Sequence, residues 1–284
     1  MIDELKECFR YRDLLRQLVV RDLKVRYKNS VLGFFWSLAN PLVQVATITI
    51  VIKYVLRLEI PNYSAYLLVG YLPWVFFQMA LLDSSQVVLH HRDLLRKVYF
   101  PREVLPLSVV AANLIHFLLA LVVFFAYLLF YIHFFLGGTW LLPTIAWLPV
   151  LVAMQALLIV GITFFVSCLN VFYEDTKYLL QALLGVLFYL TPVMYPAEMV
   201  YARIPESYRE LAFRVYLLNP VNMLTEGYRK TLLPPFEGGV RGVEVQSLPL
   251  DYAMLAAAAV TCALVAVAGY AFFNSRKWVF AERV

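Results

Sequence analysis

Seventy consecutive residues, 104–173, contain no Asp, Glu, Lys or Arg. A soluble domain does not sustain such a run, because about a quarter of its residues are charged. A lipid bilayer demands it: ionised groups at the centre are costly, and about 20 apolar residues cross as one helix. The run is too long for one crossing, and Gly137-Gly138 with Pro143 break it in the middle, so it predicts two helices. Uncharged windows at 29–52, 60–82, 178–197 and 252–275 predict one helix each. The expected fold is an all-α polytopic membrane protein with six transmembrane helices. These and their connections use up the 284 residues, leaving a single transmembrane domain, 1–284, and no room for a large soluble one.

Charge placement orients the bundle. Of 24 Lys and Arg, eight precede residue 30, four lie in 92–102, one is Lys177 and three lie in 276–283. Threaded through six spans, these sixteen fall on one side. The positive-inside rule makes that side cytoplasmic and places both termini there. The formal charge of +5 therefore follows topology and does not mark a nucleic-acid surface. Residues 198–251 carry six basic and seven acidic side chains and fall outside. The first 28 residues are too charged for a cleavable signal peptide, so the first span serves as its own insertion signal. Cys8, Cys168 and Cys262 are far apart, show no metal-ligand spacing and predict no disulfide.

Residues 3–28 predict an amphipathic helix on the cytoplasmic membrane surface, within an interface segment 1–30. Tyr11, Leu14, Leu15, Leu18 and Val25 share one face, and Arg10, Arg21, Lys24 and Lys28 cluster on another. Seating on lipid and seating on a cytoplasmic partner are compatible readings. Spans are expected at 34–55, 64–89, 107–135, 144–169, 179–195 and 252–273, with a cytoplasmic tail at 274–284. Lys53 and Arg57 snorkel at the outer end of the first. Within the outer segment 196–251, residues 208–233 are too apolar for a free loop and are interrupted at Asn219-Pro220. They predict two short helices dipping into the outer leaflet, with 234–249 as an exposed loop. No internal repeat is visible, which argues against inverted-repeat transporters.

Absent motifs exclude several activities. Without G-x-x-x-x-G-K-[ST] the chain does not hydrolyse ATP by that route, and H-E-x-x-H and G-x-S-x-G are missing too. His90 and His91 are adjacent, hence about 100° apart on a helix, and predict a loop or interface role. His116 and His133 predict hydrogen-bonded packing within the third span. Asp83, the one acid inside a span, is either a functional carboxylate or a partner for a loop cation.

Two polar stripes remain. Trp36, Asn40, Gln44 and Thr47 share a face of the first span, and Ser64, Tyr71, Trp74, Gln78 and Ser85 share one on the second. Aromatic faces with amides and hydroxyls suit a hydroxyl-rich substrate. The same residue types also hold membrane helices together, and aromatic residues gather at interfaces. In the cytoplasm, 92–99 reads as a short charged helix stopped by Pro101, and Glu174-Asp175 sit in a tight turn. These are solvated connectors, or the contact surface of a separate motor.

The segment RDLKVRYKNSVLGFFWSLANPL (21–42) closely resembles the N-terminal signature of ABC-2-type permeases that export polysaccharides: O-antigen, capsule and teichoic acid. LLRKVYFPREVLPLS (94–108), NVFYEDTKYLLQ (170–181), YLTPVMYP (189–196) and LLNPVNMLTEGYRKTLL (217–233) follow in that family's order. The resemblance implies a homodimer working with two cytoplasmic nucleotide-binding subunits, which hold ATP and Mg while this chain binds no cofactor or metal. It implies an undecaprenyl-linked polysaccharide as substrate and no catalytic residue here. The interface helix carries Arg21, Lys24, Arg26 and Lys28. Contacts to the ATPase fall at Arg92, Asp93, Leu95, Arg96, Tyr99 and Phe100, and at Tyr173, Glu174 and Asp175. The first, second and fifth spans line the channel with Trp36, Asn40, Gln44, Tyr71, Trp74, Gln78, Phe188 and Tyr189. The broken outer helices form its gate, and 234–249 is longer than a minimal gate loop requires. The alternatives are an ABC-2 exporter of lipid or drug, and a membrane-embedded glycan transferase using Asp83, Glu174, Asp175, Glu198 or Glu226.

Overall fold

In the computed structural model the described residues are 10–27, 34–55, 60, 62–135, 143–235, 237–240 and 243–280. The chain runs α1 (Arg12–Tyr27), α2 (Phe34–Ile50) with a π-helical turn at Val51–Val55, α3 (Tyr63–His90), α4 (Arg92–Lys97) and α5 (Val104–Phe135). A 3-10 turn at Pro143–Trp147 leads into α6 (Leu148–Phe172), followed by α7 (Thr176–Leu190) and the short helices α8 (Ala197–Arg203), α9 (Arg209–Leu217) and α10 (Pro220–Leu232). An antiparallel hairpin, β1 (Glu237–Val240) and β2 (Val243–Gln246), precedes α11 (Tyr252–Arg276).

Four of these elements are long and apolar enough to cross a membrane: Tyr63–His90, Val104–Phe130, Pro143–Phe172 and Tyr252–Val279. Ala39–Val55 and Thr176–Leu190 are apolar but shorter than the usual crossing of about 20 residues. The Asn219-Pro220 break is real. Asn219 accepts the Val221 N–H at 3.0 Å as a cap, and Pro220 opens α10, where its missing N–H costs nothing. Within the loop expected at 234–249 the described residues form the β-hairpin, which pairs Val240 with Val243. A stretch read only for helical periodicity and breakers does not reveal a two-residue strand alternation this short.

Helix α3 is the centre of the bundle, packed by α2, α5, α6, α7 and α10. Apolar residues fall on most of its faces, interrupted by Gln78 and Asp83, which is why it is largely enclosed. Helix α11 lies at the edge against α6 and α10, and leaves Val260, Leu264 and Val267 more than half exposed. Two buried hydrogen bonds tie the centre. Tyr228 Oη donates to Gln155 Oε1 at 2.7 Å, and Gln155 Nε2 donates to the Pro73 carbonyl at 2.7 Å. They link α10, α6 and α3 in surroundings where an unmade bond costs about 1–3 kcal/mol.

The α6–α11 crossing is backbone on backbone. A Cβ added to Gly269 would lie 2.0 Å from the Gly161 carbonyl oxygen, and one added to Gly161 would lie 2.6 Å from Ala266 N. Small residues permit such approach between membrane helices. Gly269→Leu is therefore expected to push the helices apart and lower stability by about 1–3 kcal/mol. Gly185→Ala, where an added Cβ meets nothing within 4 Å, should be silent. Thermal unfolding in detergent checks the pair: equal midpoints would remove the close-packing account.

A second apolar cluster closes the end of the bundle where α1 docks, built on Leu18, Val88, Phe100, Phe164, Phe273 and Phe280. Tyr11, Leu14 and Leu15 of the N-terminal segment pack on it, so this face rests on protein. The predicted stripe needs one correction: Val25 is largely exposed and Val19 is buried instead. The helix outruns the apolar cluster before Val25, and polar contacts hold its last turn.

Candidate functional site

The predicted stripes meet at one place. Helix α2 brings Gln44, α3 brings Tyr71 and Trp74, and α7 brings Phe188 and Tyr189. The Tyr71 hydroxyl donates to Gln44 Oε1 at 2.5 Å. Phe188 stands edge-on to Tyr71 with centroids 6.3 Å apart, and 5.5 Å from Trp74. Tyr189 packs on Phe188 at 5.3 Å. Trp74 and Tyr71 are buried, while Gln44 and Tyr189 are exposed and Phe188 is half-buried. The result is a fixed aromatic backing with an accessible polar and aromatic edge.

The rest of each stripe behaves differently. Thr47 Oγ1 donates to the Val43 carbonyl of its own helix at 2.9 Å, and Ser85 Oγ donates to the Leu82 carbonyl at 2.7 Å. Ser64 bonds Tyr127 of α5 at 2.8 Å, which is helix–helix adhesion. Asn40 is exposed and Gln78 half-buried on the same faces. The Trp36 side chain lies outside the described residues.

Three polar contacts latch α1 to the bundle. Arg21 bonds His91 as well as its neighbour Asp22. Arg26 pairs with Asp83 at 2.8 Å and donates to Asn113 Oδ1 at 3.1 Å. Tyr27 Oη lies 2.9 Å from His116 Nδ1. Asp83 is thus the partner of a cation on α1, and His91 and His116 serve the same helix contact. Burial foremost, with the Arg21 guanidinium, holds His91 below its ordinary 6.5. Lys24 is exposed, and Lys28 lies outside the described residues.

The two charged connectors come together. Arg92 Nη2 lies 3.8 Å from Glu174 Oε1, joining α4 to the 173–175 turn. Both side chains are exposed, so the pair contributes little energy and serves mainly to align two loops. Asp93, Arg96, Tyr99, Tyr173 and Asp175 face outward, and Leu95 is half-buried. Phe100 differs from these: it is buried in the second apolar cluster and anchors the loop from within. Its aromatic ring finds more apolar contact inward, among residues far away in sequence.

Two charged groupings lie beyond the sequence-based expectations. Lys277 Nζ lies 2.6 Å from Glu103 Oε1, both buried, clamping the end of α11 to the start of α5. No local signal connects positions so distant. Between α7 and α11, Arg229 pairs with Glu226 at 3.0 Å and lies 4.0 Å over the Tyr66 ring, while Lys230 pairs with Glu198. Here a signal exists: Glu226, Arg229 and Lys230 at helical spacing in an apolar segment announce a compensated charge cluster. Among the described residues no group of three His, Cys, Asp or Glu is placed to hold a metal.

An apolar multi-pass bundle, with a latched N-terminal helix, paired charged connectors and a polar–aromatic seam, has the build of a membrane transport subunit. The chain belongs to the ABC-2 type transporter family, whose pattern matches residues 13–233. It is 33% identical over 284 residues, the full length of both chains, to the O-antigen export system permease protein RfbA of Myxococcus xanthus. It is 32% identical over 273 residues to a protein of the same name from Klebsiella pneumoniae, covering 95% of this chain and 94% of that one.

Proposed function

We propose that the chain is the membrane subunit of an ATP-driven exporter that carries an undecaprenyl-linked polysaccharide of the O-antigen kind out of the cytoplasm. The observation that carries this reading is full-length similarity to O-antigen export permeases. In this reading α2 and α7 complete six spans with the four longer helices, and both termini are cytoplasmic. Two copies pair, and two nucleotide-binding subunits supply ATP hydrolysis. Helix α4 and the 173–175 turn receive them, aligned by Arg92 and Glu174. Helices α8 to α10 gate the outer side. The seam of Gln44, Tyr71, Trp74, Phe188 and Tyr189 faces the glycan, offering an amide and a hydroxyl beside aromatic faces.

The seam calls for gentle substitutions. Trp74 is buried, and truncating a core tryptophan costs about 3–5 kcal/mol, which would confuse misfolding with lost transport. Gln44→Leu and Tyr71→Phe keep the shape and remove the polar edge. Both are expected to slow ATP-driven glycan export into inverted vesicles several-fold, with unchanged assembly with the motor subunit. Export at the parental rate in both variants would remove the seam from the pathway. ATP hydrolysis by the purified chain alone would overturn the exporter reading itself.

A further inference from the structure

Of the three contacts that latch α1, one has no place for a second ring proton. The His91 imidazole stands between two partners that fix its chemistry. Its Nδ1 lies 2.7 Å from the Val87 carbonyl, one turn back along α3, and its Nε2 meets Arg21 Nη2 of α1. A carbonyl only accepts, so Nδ1 carries the ring proton. A guanidinium only donates, so Nε2 must offer its lone pair. Both contacts belong to neutral imidazole in a single tautomer. An imidazolium would aim an N–H at a group with no acceptor.

The surroundings point the same way. His91 is 9% exposed, and Val87 belongs to the apolar cluster that also holds Leu18 of α1. The charged and titratable groups facing the ring are Arg21 and Asp22 of α1 and His90 of α3. Burial weighs most against a charged ring, and Arg21 and His90 add to it. Asp22 opposes them, but its Oδ1 already accepts from Arg21 at 3.0 Å. Arg92 and Asp93, next along the chain, are exposed. The other two latch contacts tolerate a proton better. The Tyr27 hydroxyl can donate to His116 or accept from it, and Arg26 also holds the neutral amide of Asn113.

We propose that His91 makes the docking of α1 proton-sensitive: the neutral ring accepts Arg21 and seats the helix, and the protonated ring releases Arg21 and loosens α1 from the bundle. The docked state favours the neutral ring, whereas a released α1 returns the ring to water. Docking is therefore complete above the ordinary 6.5 and weakens as pH falls below it. A single proton shifts the equilibrium towards release by at most about tenfold per pH unit.

Hydrogen–deuterium exchange of the full-length chain in lipid nanodiscs tests this between about pH 8 and about pH 5, where an imidazole titrates. Each rate is divided by the intrinsic exchange rate at that pH, and the amides of α10 serve as reference. Protection of residues 18–25 is expected to fall several-fold towards acid, while α10 holds. His91→Gln keeps an acceptor for Arg21 and does not titrate, so its protection should not follow pH. An equal pH response in parent and variant would overturn the proposal. Constant protection in the parent would do the same, since Asp22 would then hold the imidazolium in place. An equal loss in α10 would mark general unfolding and likewise remove it. Nitrogen NMR of the parent chain labelled at its four histidines is independent of the variant. A ring protonated at Nδ1 alone is expected at about pH 8, and its absence would also rule the mechanism out.

Discussion

Replacing Arg229 with methionine should lower the stability of the fold by about 3–5 kcal/mol, the usual result of removing one partner from a buried ion pair. Arg229 is 3% exposed, and its guanidinium serves four neighbours at once. It donates to Glu226 Oε1 at 3.0 Å, to the Tyr195 carbonyl at 3.1 Å and to the Val193 carbonyl at 2.6 Å, and it stacks over Tyr66. These contacts bind α10 to the 191–196 connector and to α3. Without Arg229, Glu226 depends on Lys230, whose nitrogen is 3.8 Å away and already committed to Glu198. Two carbonyls also lose their donor. Arg229→Lys keeps the charge but loses the planar fork, so an intermediate loss is expected. Thermal unfolding of the detergent-solubilised chain checks the order: wild type, then lysine, then methionine. A methionine variant as stable as the parent would show that the cluster contributes specificity without stability.

Lys277→Met is expected to be similarly damaging, again about 3–5 kcal/mol, because it strands Glu103, which is 1% exposed. The informative measurement is the double variant. Glu103→Gln with Lys277→Met removes both charges, and buried pairs replaced together often cost little. Most of the lost stability should return, giving a coupling between the two positions that independent sites would not show. Purely additive losses would mean that each side chain acts through other contacts, such as Lys277 on the Trp278 ring at 5.3 Å.

The α1 latch marks the point at which the sequence stops being legible. Its amphipathic face and its cation cluster are both readable from residue spacing, since helical periodicity is local. That Arg26 seeks Asp83 and Asn113, and that Tyr27 meets His116, is not readable in this way, because the partners sit on α3 and α5. The polar stripes divide the same way. Spacing places Gln44 and Thr47 on one face of α2, yet Gln44 meets Tyr71 while Thr47 satisfies itself on its own helix. Phe100 belongs to a charged loop, which suggests the surface, and is an anchor, because an aromatic side chain goes to whichever apolar cluster lies within reach.

Uncharged runs, breakers and the placement of Lys and Arg determined by themselves that the chain is a multi-pass helical membrane protein, because a bilayer penalises charge residue by residue. An ordered set of segments, each short, determined the family for the same reason: the information is local. Tertiary structure alone decided how the buried charges are compensated, which half of each stripe forms a common edge, and how the short helices α8 to α10 pack on the bundle. Those outcomes depend on contacts between residues far apart in the chain, and in a low-dielectric interior such contacts settle whether a charge or an amide is a liability or a site.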